Sequence, residues 1–201
     1  MLTLYHAPRS RSSRIVWLLE ELGVPYEAKI VPIRRGDGSG AEDASGYRRI
    51  HPHAKVPAIQ HDGATVFETP AIALYLTDAF PQAGLGPRIG DKERGPYLSW
   101  LAYSTGVIEP AVTMKLLNVP HHYGTFGWGP LEEVEGVLAR TLEAGPYLLG
   151  ETFSAVDIVI GGSIAQFVQW KFLPALPVFT DYVQRITARP ACARAQAKDQ
   201  G

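Results

Sequence analysis

The sequence predicts an α/β domain at the N-terminus followed by an all-α helical domain at the C-terminus. Three observations carry that prediction. Short strand-like and helix-like pieces alternate over the first 80 residues. A proline- and glycine-rich stretch, "FPQAGLGPRIG", then breaks the pattern at 80–90. Beyond it strand signals nearly vanish while apolar residues keep a helical spacing. The division that follows is 1–80 for the first domain, 81–90 for a linker and 91–201 for the helical domain.

The elements can be justified in order. "LTLY" reads as a first strand, and 12–22 as a helix with Ile15, Leu18, Leu19 and Leu22 on one buried face. Gly23 terminates that helix and Pro25 prevents its continuation. "YEAKIV" supplies a second strand, and "RRGDGSGAEDASG" reads as a mobile loop leading into a short helical piece. "PAIQ" and "TVFE" are two short strands joined at His61-Asp62-Gly63, a hairpin signature. Thr69 and Pro70 cap and start the next helix, with Ile72, Tyr75, Leu76 and Ala79 along one side.

In the second half, helices are expected near 91–117, 131–144, 154–170 and 175–188, with Pro110 kinking or dividing the first. Ser154 as N-cap puts Asp157 at the N3 position of a capping box, flanked by the hydrophobic staple of Phe153 and Ile158. A small mixed sheet joined to a helical partner offers a cleft for a ligand.

Composition narrows the function classes. A hydrophobic content of 46% with 19% charged residues belongs to an ordinary folded protein. With 19 basic and 20 acidic residues the formal charge is -1, which gives no reason to invoke nucleic acid or a membrane surface. Cys192 is the single cysteine, so an internal disulfide, a CxxC redox pair and a cysteine-rich metal site are excluded. It reads as a non-functional thiol. His51 and His53 have no evident third ligand, so no metal is expected. "MLTLYHAP" does not read as a secretory signal and no stretch approaches a membrane span, which sets the expectation of a cytoplasmic protein.

Two short stretches carry chemistry. In "KVPAIQHDG" Pro57 opens a strand, where a missing N–H is tolerated only at an edge or start. A cis Val56–Pro57 bond would turn the Val56 N–H and C=O away from the sheet, where they could clamp an extended peptide-like ligand. The residues alone do not choose cis over trans. In "FETPAIALYL" a helix start can attract a carboxylate, the Thr69 hydroxyl adds a donor, and Glu68 can take an ammonium group. The plain alternative is capping by Thr69 with a solvated Glu68.

"SRSSRIVWLLEELGVPYE", "HPHAKVPAI", "DG…FET…AIALYL" and "GETFSAVDIVI" together resemble the glutathione transferase superfamily, in its order and at its spacing over nearly the whole chain. The resemblance implies a thioredoxin-like N-terminal domain that holds glutathione as co-substrate, and a helical domain with a hydrophobic co-substrate site. It places Pro57 on the family's cis-proline and Val56 on the residue whose backbone pairs with the cysteinyl part of glutathione. Glu68 and Thr69 fall on the pair that holds the γ-glutamyl end, and Lys55 resembles a residue reaching the glycyl carboxylate or nearby backbone. The usual asparagine and glycine of this loop are His51 and Ala54 here.

The thiol of glutathione is mostly protonated at neutral pH, and the thiolate is the nucleophile. A donor aimed at sulfur, beside a helix start, favours the charged form. Ser10, Ser12 and Tyr5 compete for that role, with Ser10 preferred; Ser12 and Ser13 also suit plain helix caps. No cysteine occupies the cluster, so it does not resemble the classes that form a mixed disulfide with glutathione. Tyr103 and Ser104 are the candidate co-substrate contacts. The function implied is transfer of glutathione thiolate to small hydrophobic electrophiles by a homodimer. A glutathione-dependent peroxidase or disulfide-bond reductase, and a non-catalytic glutathione-binding or interaction module, are the alternatives.

Overall fold

The structure, a computed structural model, describes residues 1–34 and 46–199. The expected mobile loop at 34–46 falls almost wholly outside the described residues. The chain forms two compact units, one from Met1 to Ala83 together with the segment from Arg189 onward, the other from Gly84 to Ala188.

The first unit is built on a four-stranded sheet of β1 (Leu2–His6), β2 (Glu27–Ile30), β3 (Ala58–His61) and β4 (Ala64–Phe67), in the order β2-β1-β3-β4. β1 and β2 are parallel, as the helical crossover between them requires, whereas β3 and β4 run antiparallel to their neighbours. The β3–β4 connection is a two-residue turn in which Asp62 (φ 47°) and Gly63 (φ 87°) are both left-handed, the twist-matched geometry for a tight hairpin.

Helix α1 (Ser13–Leu22) buries Ile15, Leu18 and Leu19 completely, so each contributes about 1.5–3 kcal/mol of hydrophobic stabilisation. Gly23 (φ 66°) ends it by turning its N–H back to the Leu19 carbonyl at 3.1 Å. Helix α2 (Thr69–Ala79) buries Ile72, Ala73 and Leu76. Glu68, rather than Thr69, occupies its N-cap position, with Pro70 in the first turn.

The second unit is helical: α3 (Arg94–Tyr103), α4 (Glu109–Leu116), α5 (Leu131–Glu143), α6 (Ala155–Gln169) and α7 (Pro177–Thr187). The stretch expected as one helix over 91–117 is divided by a π-helical segment at Ser104–Ile108, just ahead of Pro110. A proline cannot donate to the carbonyl one turn back, and the wider turn accommodates that loss. α6 forms the core of this unit, with Val156, Ile158, Ile160 and Ile164 excluded from solvent. Its capping box is present: Asp157 accepts the Ser154 N–H at 2.9 Å, and the same carboxylate accepts Leu148 N–H and the Tyr182 hydroxyl, both at 2.9 Å.

The chain end differs from the expected 91–201 helical domain. A further helix, α8 (Pro190–Lys198), packs against α1 in the first unit. Ala191, Cys192 and Ala195 bury its small face. Arg189 grips the Glu21 carboxylate with two hydrogen bonds of 2.6 and 2.8 Å, and Arg194 and Lys198 both reach Glu20. Burial pushes the Cys192 thiol pKa up, which keeps it protonated and unreactive.

Candidate functional site

The register of the sheet decides what lies together in the first unit. Tyr5 on β1 is opposite Ala58 on β3, and Ala58 is opposite Phe67 on β4. Three segments therefore leave the sheet at one end: the loop 7–12 after β1, Val56-Pro57 before β3, and Glu68-Thr69 after β4. Ala7, Tyr47, Val56 and Ala58 pack there as one apolar cluster, with Tyr5 and Ala54 against it.

The Val56–Pro57 bond is cis. Val56 lies just outside the ladder, and among the described residues no hydrogen-bond partner meets its N–H or its carbonyl. Those two groups are free to pair with an added extended segment. The preceding turn is held by Tyr47, whose hydroxyl donates to the Lys55 carbonyl at 2.8 Å. Lys55 itself is exposed.

His51, standing where the family has asparagine, is buried, and its Nδ1 accepts the His53 N–H at 3.2 Å. An asparagine side-chain oxygen would take that same bond two residues on, so the imidazole substitutes for it. Burial lowers the His51 pKa, against a partial opposing effect of Glu68. Ala54 keeps φ at 49°, the left-handed conformation that a glycine would adopt without strain.

Glu68 is exposed and also left-handed, with φ 71° and ψ 124°. The buried Thr69 begins α2 directly behind it. A carboxylate that can meet an ammonium group is thus set beside helix N–H groups that can meet a carboxylate.

The three candidate hydroxyls occupy different environments. Tyr5 donates its hydroxyl to Gln60 Oε1 at 2.6 Å, and its ring packs on Tyr47 with centroids 5.3 Å apart. Ser12 is fully buried and makes no side-chain cap bond. Its backbone is already helical, so its Oγ turns inward and lies 2.7 Å from His6 Nδ1, 3.1 Å from the Ala7 N–H nitrogen and 2.7 Å from Ser10 Oγ. Ser13 spends its hydroxyl on Asp199, at 2.6 Å, instead of on a cap. Ser10 remains partly exposed; its Oγ accepts the Ser12 N–H at 3.1 Å.

His6, Tyr47 and Asp199 were not visible as site residues in the sequence. Alternation along "LTLYH" marks His6 only as an inward strand residue, and nothing local ties Asp199 to a loop some 190 positions earlier.

In the second unit, Ser104 is buried in the π-helical segment and donates to the Leu101 carbonyl at 2.7 Å. Tyr103 is half-buried, edge-on to Trp100 with centroids 5.3 Å apart, and burial raises its phenol pKa. Among the described residues no helix is long and apolar enough to cross a membrane.

Residues 1–78 match the glutathione S-transferase N-terminal domain family. The chain is 29% identical to the disulfide-bond oxidoreductase YfcG of Escherichia coli K12, over 100% of this chain and 96% of that protein. It is 30% identical to the probable maleylacetoacetate isomerase 2 of Drosophila melanogaster, over 77% of this chain and 69% of the relative. Among solved structures, a sphingomonad glutathione S-transferase complexed with glutathione superposes with a TM-score of 0.78 at 25% identity, covering 98% of each chain. With a thioredoxin-like first domain, a helical second one and these relatives, the chain belongs to the glutathione transferase superfamily.

Proposed function

We propose that this chain is an enzyme that binds reduced glutathione at the sheet end formed by the 7–12 loop, Val56-Pro57 and Glu68-Thr69, and uses its thiolate to reduce disulfides. The observation that carries the binding is the register Tyr5–Ala58–Phe67, which aligns an open backbone pair, a carboxylate, a helix start and a hydroxyl. Those groups complement a γ-glutamyl peptide in order. Glu68 meets its ammonium, the α2 start meets its α-carboxylate, Val56 pairs with the cysteinyl backbone, and Lys55 meets the glycyl carboxylate. Ser10, partly exposed and with its Oγ engaged among the described residues only by Ser12, is the donor to sulfur, whereas Tyr5 and Ser13 spend their hydroxyls on Gln60 and Asp199.

Two facts support disulfide reduction as the reaction. Similarity to a disulfide-bond oxidoreductase extends over the full chain, and the only cysteine is buried between α8 and α1. Glutathione must then carry all the thiol chemistry. Its thiolate attacks one sulfur of the disulfide, the S–S bond breaks, and the departing thiolate takes a proton. A second glutathione thiolate attacks the resulting mixed disulfide, giving glutathione disulfide and a second free thiol. Two glutathiones are oxidised as one disulfide is reduced.

Conjugation to a small hydrophobic electrophile is the second reading, favoured by the match to the transferase family and by a hydroxyl where an attacking thiolate needs a donor. Tyr103, half-buried, is proposed as a co-substrate contact in either case, within a homodimer; Ser104 is not, because it is buried and its hydroxyl is spent on the Leu101 carbonyl. Product analysis by mass spectrometry, with hydroxyethyl disulfide, an aryl halide and a hydroperoxide offered in parallel, separates the readings. Disulfide reduction predicts glutathione disulfide and free thiol as the fast products. An S-aryl adduct as the dominant product would instead establish the transferase reaction.

A further inference from the structure

The hydroxyl of Ser10 does not stand alone. It touches Ser12 Oγ at 2.7 Å, Ser12 Oγ touches His6 Nδ1 at 2.7 Å, and His6 Nε2 lies 3.3 Å from Asp199 Oδ1. Every link except Ser10 is withdrawn from water: Ser12 is 0% and His6 2% exposed, and Asp199 is largely covered at the end of α8. Asp199 is itself fixed, by the Ser13 hydroxyl at 2.6 Å and the Arg9 N–H at 3.1 Å. We propose that Ser10, Ser12 and His6 form a proton relay that carries the thiol proton of bound glutathione inward to His6, where Asp199 stabilises the imidazolium.

The directions of the hydrogen bonds follow from the charges. A carboxylate beside Nε2 places the ring proton of neutral His6 on that nitrogen, leaving Nδ1 as the acceptor. The contact to Asp199 is near enough for charge to act but is not aligned as a hydrogen bond, since His6 Nε2 has no hydrogen-bond partner among the described residues. Ser12 then donates to Nδ1, and its oxygen accepts the Ala7 N–H and the Ser10 O–H. Ser10 accepts the Ser12 N–H and keeps a lone pair turned outward for an arriving S–H. As the thiol proton moves to Ser10 Oγ, the Ser10 proton moves to Ser12 Oγ and the Ser12 proton to His6 Nδ1. Thiol plus neutral imidazole become thiolate plus imidazolium, and the reoriented Ser10 hydroxyl donates to the sulfur. The Ala7 carbonyl, at 3.2 Å, is the longer competing acceptor for Ser12.

The electrostatics around His6 suit an acceptor that is neutral until the thiol arrives. Burial lowers its pKa, and Asp199 partly counteracts this. On the elements around β1, several charges are paired with one another. Glu27 and Lys29 on β2 face each other across 3.9 Å, Glu20 on α1 meets Arg194 and Lys198, and Glu21 meets Arg189. His6 acts through Ser12 and Ser10 and touches no substrate atom, so it is a positioning residue rather than a catalytic one.

The relay rests on the glutathione reading above and has its own signature: the proton lost by sulfur stays on the protein. Thiolate formed on binding is counted by its ultraviolet absorbance. Protons released are counted by calorimetry in buffers of different ionisation enthalpy, with S-methylglutathione as the thiol-free reference. At neutral pH the relay predicts thiolate formation with far less than one proton released per thiolate, and nitrogen NMR shifts of His6 moving to those of an imidazolium. His6→Gln can still bond Ser12 but cannot hold the proton, so it should raise the bound thiol pKa by about one to two and release a full proton per thiolate. Thiolate formation with one proton released per thiolate in the unaltered protein, and an unchanged His6 signal, would overturn the relay while leaving glutathione binding intact. Failure of glutathione to bind would overturn both.

Discussion

Glu68 is the residue at which folding and binding make opposite demands. Its φ of 71° costs a side-chain-bearing residue about 1–3 kcal/mol, and no side-chain cap bond of its own offsets that. Replacing it by glycine removes the strain but adds about 0.5–1 kcal/mol of backbone entropy to lose on folding. The net expectation for Glu68→Gly is a gain of roughly 0–2.5 kcal/mol, or up to about 10 °C in Tm at two to four degrees per kcal/mol. The same change deletes the carboxylate proposed to hold the glutathione ammonium. A hydrogen bond to a charged group is worth about 1.5–3 kcal/mol, and the exposure of Glu68 argues for the lower end, so affinity should fall roughly tenfold. Glu68→Ala separates the effects: it should lose affinity equally without gaining stability. Thermal denaturation and calorimetric titration with reduced glutathione read the two quantities on the same samples. Unchanged affinity in both variants would refute the assigned role, and a fall in Tm for the glycine variant would refute the strain argument.

Three further predictions concern neighbouring groups. Ser10→Ala should raise the pKa of bound glutathione and slow turnover about tenfold to a hundredfold. Tyr5→Phe, whose hydroxyl is spent on Gln60, should change both little; a larger effect from Tyr5→Phe in ultraviolet titration and rate would transfer the role to the tyrosine. The folded-state pKa values of His6 and His51 lie below the ordinary 6.5, so their contribution to stability is complete above that pH and is lost as pH falls from 6.5 toward the folded values. His51→Asn keeps an acceptor for the His53 N–H and should flatten part of that loss in urea denaturation; an unaltered acid slope would contradict it. At Gly161 a new Cβ would collide with Ile186 Cδ1 and sit 2.9 Å from the Tyr182 hydroxyl. Gly161→Ala should therefore destabilise by about 1–3 kcal/mol in the same denaturation assay, and a neutral result would show that the Ile186 and Tyr182 side chains can move aside without cost.

The strands, α1, the hairpin and the α6 capping box were legible because each is written in neighbouring residues: an apolar period, a Gly23 stop, Asp62-Gly63, Ser154 and Asp157 three apart. α8 was missed although Pro190 and the alanines of "PACARAQAK" suit a helix. Its apolar face is made only of small residues, and the ion pairs that hold it to α1 join positions far apart in the chain. The Val56-Pro57 and Glu68-Thr69 positions could be named from motif and resemblance. Their alignment at one end of the sheet, however, needed the β1–β3 register as well, and unlike the β3–β4 register, which the Asp62-Gly63 turn fixes, no local pattern sets it. Ser12 shows the same limit. Its sequence position suits a cap, yet a buried histidine and the Ala7 backbone compete successfully for its hydroxyl.

The row of groups at the sheet end is tested most directly by amide NMR of the labelled protein titrated with reduced glutathione. Backbone pairing at Val56, the α2 start at Thr69 and the Ser10 loop predict amide shifts at all three positions that saturate together with a single dissociation constant. Shifts that cluster elsewhere, or that leave the Val56 and Thr69 amides unmoved at saturation, would contradict the site.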